Sequence, residues 1–128
     1  MAIDLTPAVP EGRQMVESYG AGRFLVSGVS HSGSILVFPE QTIAWPVSAI
    51  AGLPIESLTA VLESEPRVEI LLIGCGARME MLDPALRAVM KERGIGCDAM
   101  DTGAACRTYN VLMAEARRVA AALIALPE

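Results

Sequence analysis

Two segments of this chain hold the side chains whose types could do chemistry. The first is Gly74-Cys75-Gly76, and the second runs from Thr102 to Thr108. Each follows a predicted strand, and in open α/β sheets ligands bind outside the carboxyl ends of the strands. Hydroxyl groups, an arginine and the free N–H groups of a helix N-terminus can bind a carboxylate or a phosphate. The sequence therefore predicts an anion- or ligand-binding crevice formed by Gly74, Cys75, Gly76, Thr102, Cys106, Arg107 and Thr108.

The same residues also have a simpler structural interpretation, which carries more weight. Asp101 or Thr102 before a long helix is most simply its N-cap. Gly74 and Gly76 lack the remaining glycine of a dinucleotide fingerprint, and no Walker lysine follows them. A nucleophilic thiol needs a lowered pKa and usually a neighbouring base, which the sequence around Cys75 does not provide. We assign no catalytic residue and expect a protein that is not an enzyme, with a thiol-dependent enzyme as the open alternative.

Cysteine and histidine usage limits the other kinds of site. The chain has 3 cysteines and 1 histidine, and the cysteines form no Cys-x-x-Cys pair. An odd number of dispersed cysteines is typical of free thiols in a reducing compartment. With a single histidine, the commonest zinc ligand is scarce. We expect no metal site and no cofactor.

Length and composition predict one globular domain. The chain has 128 residues, of which 52% are hydrophobic and 20% charged, and this composition excludes a disordered chain. Its net charge of −5 speaks against nucleic-acid binding. No apolar run reaches the roughly 18 residues of a membrane span, and the N-terminus resembles neither a secretory signal nor a mitochondrial presequence. We expect a cytoplasmic protein that does not span a membrane, with an extended lead-in over residues 1–18 and the domain over residues 19–128.

Short apolar runs in the first half of the domain predict strands. Phe24–Val29 and Ser34–Phe38 flank a turn cluster at Ser30–Gly33, which predicts a β-hairpin. Ile43–Val47 predicts a third strand. Because Pro46 cannot donate a ladder hydrogen bond, this strand should lie at an edge or carry a bulge.

The second half predicts one β-α-β unit followed by a long helix. Val68–Ile73 is nearly continuous aliphatic, as in a strand buried on both faces. Asp83 caps a helix, and Ile95–Met100 is a further strand, which implies a parallel pair with a right-handed crossover. The last helix starts near Asp101 and extends towards Leu126. The fold class predicted from these elements is α/β, with a mixed sheet, an N-terminal β-hairpin region, one β-α-β unit and a long C-terminal helix.

Four residues form a hypothetical partner surface: Trp45, Asn110, Arg117 and Arg118. Trp45 is more simply a core residue, although a tryptophan beside a proline can also serve an interface. Arg117 and Arg118 are more simply part of a solvated face. The segment Met79–Leu82 packs as a loop or contacts a partner, and the sequence does not distinguish these two roles.

Several segments together resemble one known family. They are Tyr19–Phe24, Ile43–Val47, Leu71–Gly76, Met100–Thr102, Ala104–Leu112 and Glu115–Ala120. The sequence resembles the small domain-of-unknown-function family that includes mitochondrial complex I assembly factor 3 and the adipogenesis-associated domain protein. The resemblance extends from about Tyr19 to Ile124 and implies a compact three-layer α/β domain. The sequence departs from the family pattern at Cys75, where a threonine-like residue is expected.

The resemblance also implies a function. It implies a non-enzymatic assembly or interaction protein that helps to assemble a membrane respiratory complex from the cytoplasmic side. The implied partners are respiratory-complex subunits or membrane-insertion machinery, and a homodimer stays open. The alternative is a small-anion-binding protein or a thiol-dependent enzyme that uses the crevice around Cys75, Thr102, Cys106 and Arg107.

Overall fold

Residues 12–127, which the computed structural model describes, form two β-sheets with helices packed against them. The first sheet is antiparallel, with strands β1 (Val16–Gly20), β2 (Arg23–Val26) and β3 (Val29–Ser32) in chain order. The second has the order β5-β4-β8-β6-β7, with β4 (Ile35–Val37), β5 (Thr42–Ala44), β6 (Ile70–Gly74), β7 (Gly96–Met100) and β8 (Val119–Leu123). The helices are α1 (Thr59–Leu62), which follows a 3-10 turn at Ile55–Leu58, α2 (Pro84–Glu92) and α3 (Thr102–Ala114).

The larger sheet is mixed, as predicted. Strand β6 pairs in parallel with both β7 and β8, whereas β4 pairs antiparallel with β8 and β5. The predicted β-α-β unit is confirmed as β6-α2-β7. Asp83 is the N-cap of α2, and its carboxylate accepts a hydrogen bond from the N–H of Ala85 at 2.9 Å.

Alternating side chains of the larger sheet build a core on each face. Leu71 and Ile73 point to one face and Leu72 to the other, as the pleat of a strand requires. The first face packs against α1, α2 and Trp45, and the second against α3 and the three-stranded sheet. The sheet therefore lies between two layers, which is the three-layer α/β arrangement that the family resemblance implies.

The C-terminal helix is present but shorter than predicted. Helix α3 ends at Ala114, and the segment towards Leu126 contains strand β8. The helix stops because Ala116 adopts a left-handed backbone conformation (φ 62°) and the N–H of Arg117 donates to the carbonyl of Leu112 at 2.9 Å, a helix-ending turn. The alanine-rich strand is fully buried between β4 and β6, so tertiary pairing overrides its helix propensity.

Helix α3 has 13 residues, because it ends at Ala114. A membrane-spanning helix needs about 20. Within residues 12–127, no helix is both long and apolar enough to cross a membrane.

The predicted hairpin between Phe24–Val29 and Ser34–Phe38 is wrong. The turn lies earlier, at Ser27-Gly28, and Val26 pairs with Val29 across it. Both turn residues have positive φ (44° and 84°), as in the tight turns that match strand twist. The next strand, β4, then enters the larger sheet, where it pairs with β5 and β8. The predicted edge position of the strand before Pro46 is confirmed, since β5 is an edge strand.

The predicted lead-in over residues 1–18 overlaps the first sheet. Val16 to Ser18 belong to β1, which pairs with β2. Residues 1–11 lie outside the described part of the chain. The sequence did not predict β1 because most of its residues are exposed and show no apolar alternation.

Candidate functional site

The predicted crevice lies where strands β6, β7 and β8 end, and it is centred on Thr102. The side chain of Thr102 is fully buried. Its hydroxyl donates a hydrogen bond to the carbonyl of Ile124 at 2.7 Å and accepts one from the N–H of Gly76 at 2.9 Å. Its backbone N–H donates to the carbonyl of Gly76 at 2.8 Å. Thr102 therefore joins the ends of three strands instead of presenting its hydroxyl to a ligand.

Gly74 permits this close approach of the strand ends. A Cβ atom at Gly74 would lie 2.9 Å from the Cα of Thr102 and 3.1 Å from a methyl carbon of Leu123. The N–H of Ile124 donates to the carbonyl of Gly74 at 3.0 Å, and the N–H of Cys75 donates to the carbonyl of Met100 at 2.8 Å. These contacts fill the space between the strand ends.

The remaining crevice residues divide into buried and accessible ones. Cys75, Gly76 and Cys106 are buried, Thr108 is half-buried and Arg107 is exposed. Asp101 is the N-cap of α3, and its carboxylate accepts a hydrogen bond from the N–H of Ala104 at 2.8 Å. The structure thus brings the two predicted segments together, but most of their residues have packing or capping roles.

The thiols of Cys75 and Cys106 lie in environments that oppose ionisation. Burial raises the pKa of Cys75, and the thiol donates to the carbonyls of Ile73 and Glu80 at 3.7 and 3.8 Å. Burial raises the pKa of Cys106 to about 12. The two residues belong to cores on opposite faces of the larger sheet. A reactive thiol needs a shift in the other direction. Within residues 12–127 no three His, Cys, Asp or Glu side chains are placed to hold a metal ion.

The raised thiol pKa predicts a loss of stability at alkaline pH. In the unfolded chain Cys106 ionises near the ordinary value of 9.0, whereas in the folded chain burial holds its pKa at about 12. Above pH 9 the unfolded state binds fewer protons, so the free energy of unfolding falls by up to about 1.4 kcal/mol per pH unit for this group. Urea denaturation at about pH 9.5 and 10.5 should show a shallower fall for Cys106→Ala. Equal slopes for the two proteins would contradict the assignment.

Arg107 takes part in a contact that the sequence did not indicate. Its guanidinium donates to the hydroxyl of Tyr19 at 3.2 Å, and that hydroxyl lies over Gly103, where a Cβ atom would overlap it. Tyr19 comes from β1 of the smaller sheet. The contact was missed because it joins residues that are 88 positions apart.

The four residues of the hypothetical partner surface do not form one patch. Trp45 is 2% exposed and donates from its ring N–H to the carbonyl of Ser57 at 2.9 Å, so it is the core residue that the sequence also allowed. The side-chain amide of Asn110 accepts from the N–H of Val16 at 2.9 Å and donates to the carbonyl of Val16 at 2.8 Å. Asn110 therefore attaches β1 to α3. Arg117 and Arg118 are exposed, at the end of the sheet opposite the crevice.

The methionine segment after β6 is the most exposed apolar feature of the described chain. Met79 is 56% and Met81 83% exposed, whereas Leu82 is buried. Leu82 thus accounts for loop packing, and the two methionines point into solvent between Arg78 and Asp83, which are also exposed.

A cavity of about 150 Å³ lies at the opposite end of the larger sheet, where β6 and β8 begin. Its charged lining consists of Arg13, Arg67, Arg117, Arg118 and Glu40. The carboxylate of Glu40 pairs with Arg13 at 2.8 Å. The arginines of this cavity come from three separate segments of the chain, so only the neighbouring pair Arg117-Arg118 is visible as a cluster in the sequence.

Comparison with known proteins places the chain among several relatives. The family described as "Protein of unknown function (DUF498/DUF598)" matches residues 16–124. A Xenopus tropicalis protein named NADH dehydrogenase [ubiquinone] 1 alpha subcomplex assembly factor 3 is 37% identical over 109 residues, which are 85% of this chain and 60% of that protein. The chain thus spans about three-fifths of the length of this curated relative.

Solved structures share the fold. A crystal structure described as an outer membrane protein from Bartonella henselae is 40% identical with a TM-score of 0.83, covering 90% of this chain and 97% of that one. A Bordetella pertussis protein described as an Mth938-like domain is 32% identical with a TM-score of 0.78, covering 97% and 92% of the two chains. The two-sheet arrangement is therefore shared with proteins of known structure.

Proposed function

The chain belongs to the family described as protein of unknown function (DUF498/DUF598), and within that family we propose that it is a non-enzymatic protein that assists the assembly of a membrane respiratory complex. The observation that carries the proposal is the similarity to a relative named as an assembly factor of NADH dehydrogenase, over 85% of this chain. Since the chain spans 60% of that relative, the role is transferred as a proposal.

In this proposal the chain acts from the cytoplasmic side of the membrane. Its partners are subunits of the respiratory complex or the machinery that inserts them into the membrane. The methionine segment is the surface that binds them. Methionine side chains are flexible and polarizable, and they adapt to irregular apolar surfaces. Met79 and Met81 expose such side chains together, and this exposure supports a contact with a partner.

The crevice alternative has less support. An anion-binding site there would use the Thr102 hydroxyl, the N–H groups at the start of α3 and Arg107. Asp101 already accepts from the N–H of Ala104, and Arg107 already donates to Tyr19. A thiol-dependent enzyme would need an ionised thiol. The Thr102 hydroxyl makes two hydrogen bonds to the backbone, and burial raises the pKa values of Cys75 and Cys106. Both observations favour the assembly role over chemistry at this place.

The partner proposal is tested by capture from the native cell. The tagged chain is crosslinked gently, and co-purifying proteins are quantified by mass spectrometry. Enrichment of respiratory-complex subunits or of membrane-insertion proteins is the expected result. Recovery of the tagged chain alone, with crosslinking controls that work, would contradict the proposal.

A double substitution then tests the binding surface. Because Met79 and Met81 are exposed, Met79→Ser with Met81→Ser should change the free energy of unfolding by no more than about 0.5 kcal/mol per site. Loss of two apolar contacts should lower partner recovery about tenfold or more. Val29→Ser is the control, since Val29 on β3 is as exposed as Met79 and lies outside the methionine segment. Undiminished recovery with the double variant would contradict partner binding by the methionine segment.

A further inference from the structure

The cavity at the start of β6 and β8 concentrates positive charge in an acidic protein. The chain has 10 Lys and Arg residues against 15 Asp and Glu residues, yet four arginines and a single glutamate line this one cavity. Only Arg13 is paired within the described residues, with Glu40 at 2.8 Å. Low-dielectric walls around charges of one sign focus their field and attract counter-ions. From this arrangement we propose that the cavity binds a compact dianion, a phosphate group.

The backbone around the cavity is held in place before any ligand binds. The carbonyl of Arg118 accepts hydrogen bonds from the N–H groups of Glu69 and Ile70 at 2.9 and 3.2 Å, which ties the α3–β8 connection to the start of β6. The N–H of Gln14 donates to the carbonyl of Pro39 at 2.9 Å, which ties the segment of Arg13 to the end of β4. The arginines thus project from fixed positions, and binding requires little ordering of the backbone.

The helix-ending turn places two of these arginines at the rim of the cavity. Ala116, which lines it, has a φ of 62°, a conformation that residues other than glycine rarely adopt. This residue turns the chain out of α3, so that Arg117 and Arg118 follow at the rim. Backbone strain at a residue of this kind is retained where the surrounding structure requires it.

Size and charge both favour phosphate as the ligand. A cavity of about 150 Å³ is large enough for a ligand of roughly the size of benzene, whereas a single water needs about 10–15 Å³. Guanidinium groups bind phosphate oxygens with paired, charge-assisted hydrogen bonds. Glu40 balances Arg13, and the guanidinium of Arg67 lies against Gly94, outside the cavity lining. The positive charges of Arg117 and Arg118 are therefore left for the ligand. A dianion compensates them better than a monocarboxylate does.

This site is separate from the proposed partner surface. The cavity lies where β6 begins, whereas the methionine segment follows the end of the same strand. Substitutions in the cavity therefore leave the methionine segment intact. Failure to bind phosphate would not contradict the assembly role, and failure to bind a partner would not contradict phosphate binding in the cavity.

Titration of the full chain with inorganic phosphate tests the proposal. Backbone amide shifts and the melting temperature are followed at constant ionic strength, with acetate and chloride as parallel titrants. We expect saturable shifts at Arg117 and Arg118 and a rise in melting temperature with phosphate, and little effect with acetate or chloride. Saturation by acetate at the same concentration would overturn the assignment of a dianion.

Charge-removing variants complete the test. Arg117→Gln and Arg118→Gln should each weaken phosphate binding about tenfold or more, because each removes charge-assisted hydrogen bonds. Arg78→Gln is the matched control, since this exposed arginine lies beyond the other end of β6 and its loss changes the net charge equally. Melting curves without phosphate check that each variant is folded. Equal affinity in all three variants, or the absence of saturable binding by the unmodified chain, would overturn the proposal.

Discussion

Thr102→Val should lower the free energy of unfolding by about 2–5 kcal/mol, because two buried backbone groups lose their partner. Valine has the shape of threonine but cannot donate to the carbonyl of Ile124 or accept from the N–H of Gly76. Leaving a buried polar group unsatisfied costs about 1–3 kcal/mol. Urea denaturation of the two proteins, with an unchanged dependence on denaturant, measures this difference.

Thr102→Ser is the matched control for this variant. Serine keeps the hydroxyl and loses one methyl group, so it should cost only about 0.5–1.5 kcal/mol. If valine were as stable as threonine, the hydroxyl would not hold the strand ends together.

Asn110→Ala should lower the free energy of unfolding by about 2–4 kcal/mol, and its effect should be strongest at β1. The amide of Asn110 makes both of its hydrogen bonds to the backbone of Val16, which is 4% exposed. Alanine leaves that backbone N–H and carbonyl without this partner and weakens the attachment of β1 to α3. Hydrogen exchange at β1 and β2 should accelerate beyond the change seen in β6.

Val111→Ala provides the control on the same helix. Val111 is 51% exposed, so its truncation should change the free energy of unfolding by no more than about 0.5 kcal/mol. A similarly small effect of Asn110→Ala, with unaltered exchange at β1, would show that the amide does not hold the smaller sheet.

Local sequence signals predicted the β-α-β unit well. The aliphatic run at β6 needs burial on both faces, and Asp83-Pro84 is a helix start whose cap is visible in the sequence. The parallel pairing of β6 with β7 follows from the intervening helix. These features depend on neighbours in the chain, which is why they could be inferred without the structure.

Strand β8 shows where local reasoning failed. Its sequence, Val119–Leu123, contains three consecutive alanines, and alanine has the strongest helix propensity. It is a strand because it fills the place between β4 and β6, about 80 and 50 residues away in sequence. Helix periodicity continued smoothly across the turn at Ala116, so the sequence offered no stop signal such as glycine or proline.

The error at β8 also explains the error at the crevice. The sequence predicted only the ends of β6 and β7, so the loops after these two strands were expected to enclose an open site. The third parallel strand brings Ile124 beside Gly74, and Thr102 then joins all three ends. The arginine-lined cavity became recognisable only once the larger sheet was complete, because its arginines come from separate segments of the chain.

The amount of assembled membrane NADH dehydrogenase in native cells that lack this chain tests the central claim most directly. Native gels of the membrane fraction, with in-gel activity, measure the complete complex. We expect that the complex is depleted, that the unmodified chain and Val29→Ser restore it, and that Met79→Ser with Met81→Ser does not. An undiminished complex in cells without the chain would contradict the assembly role.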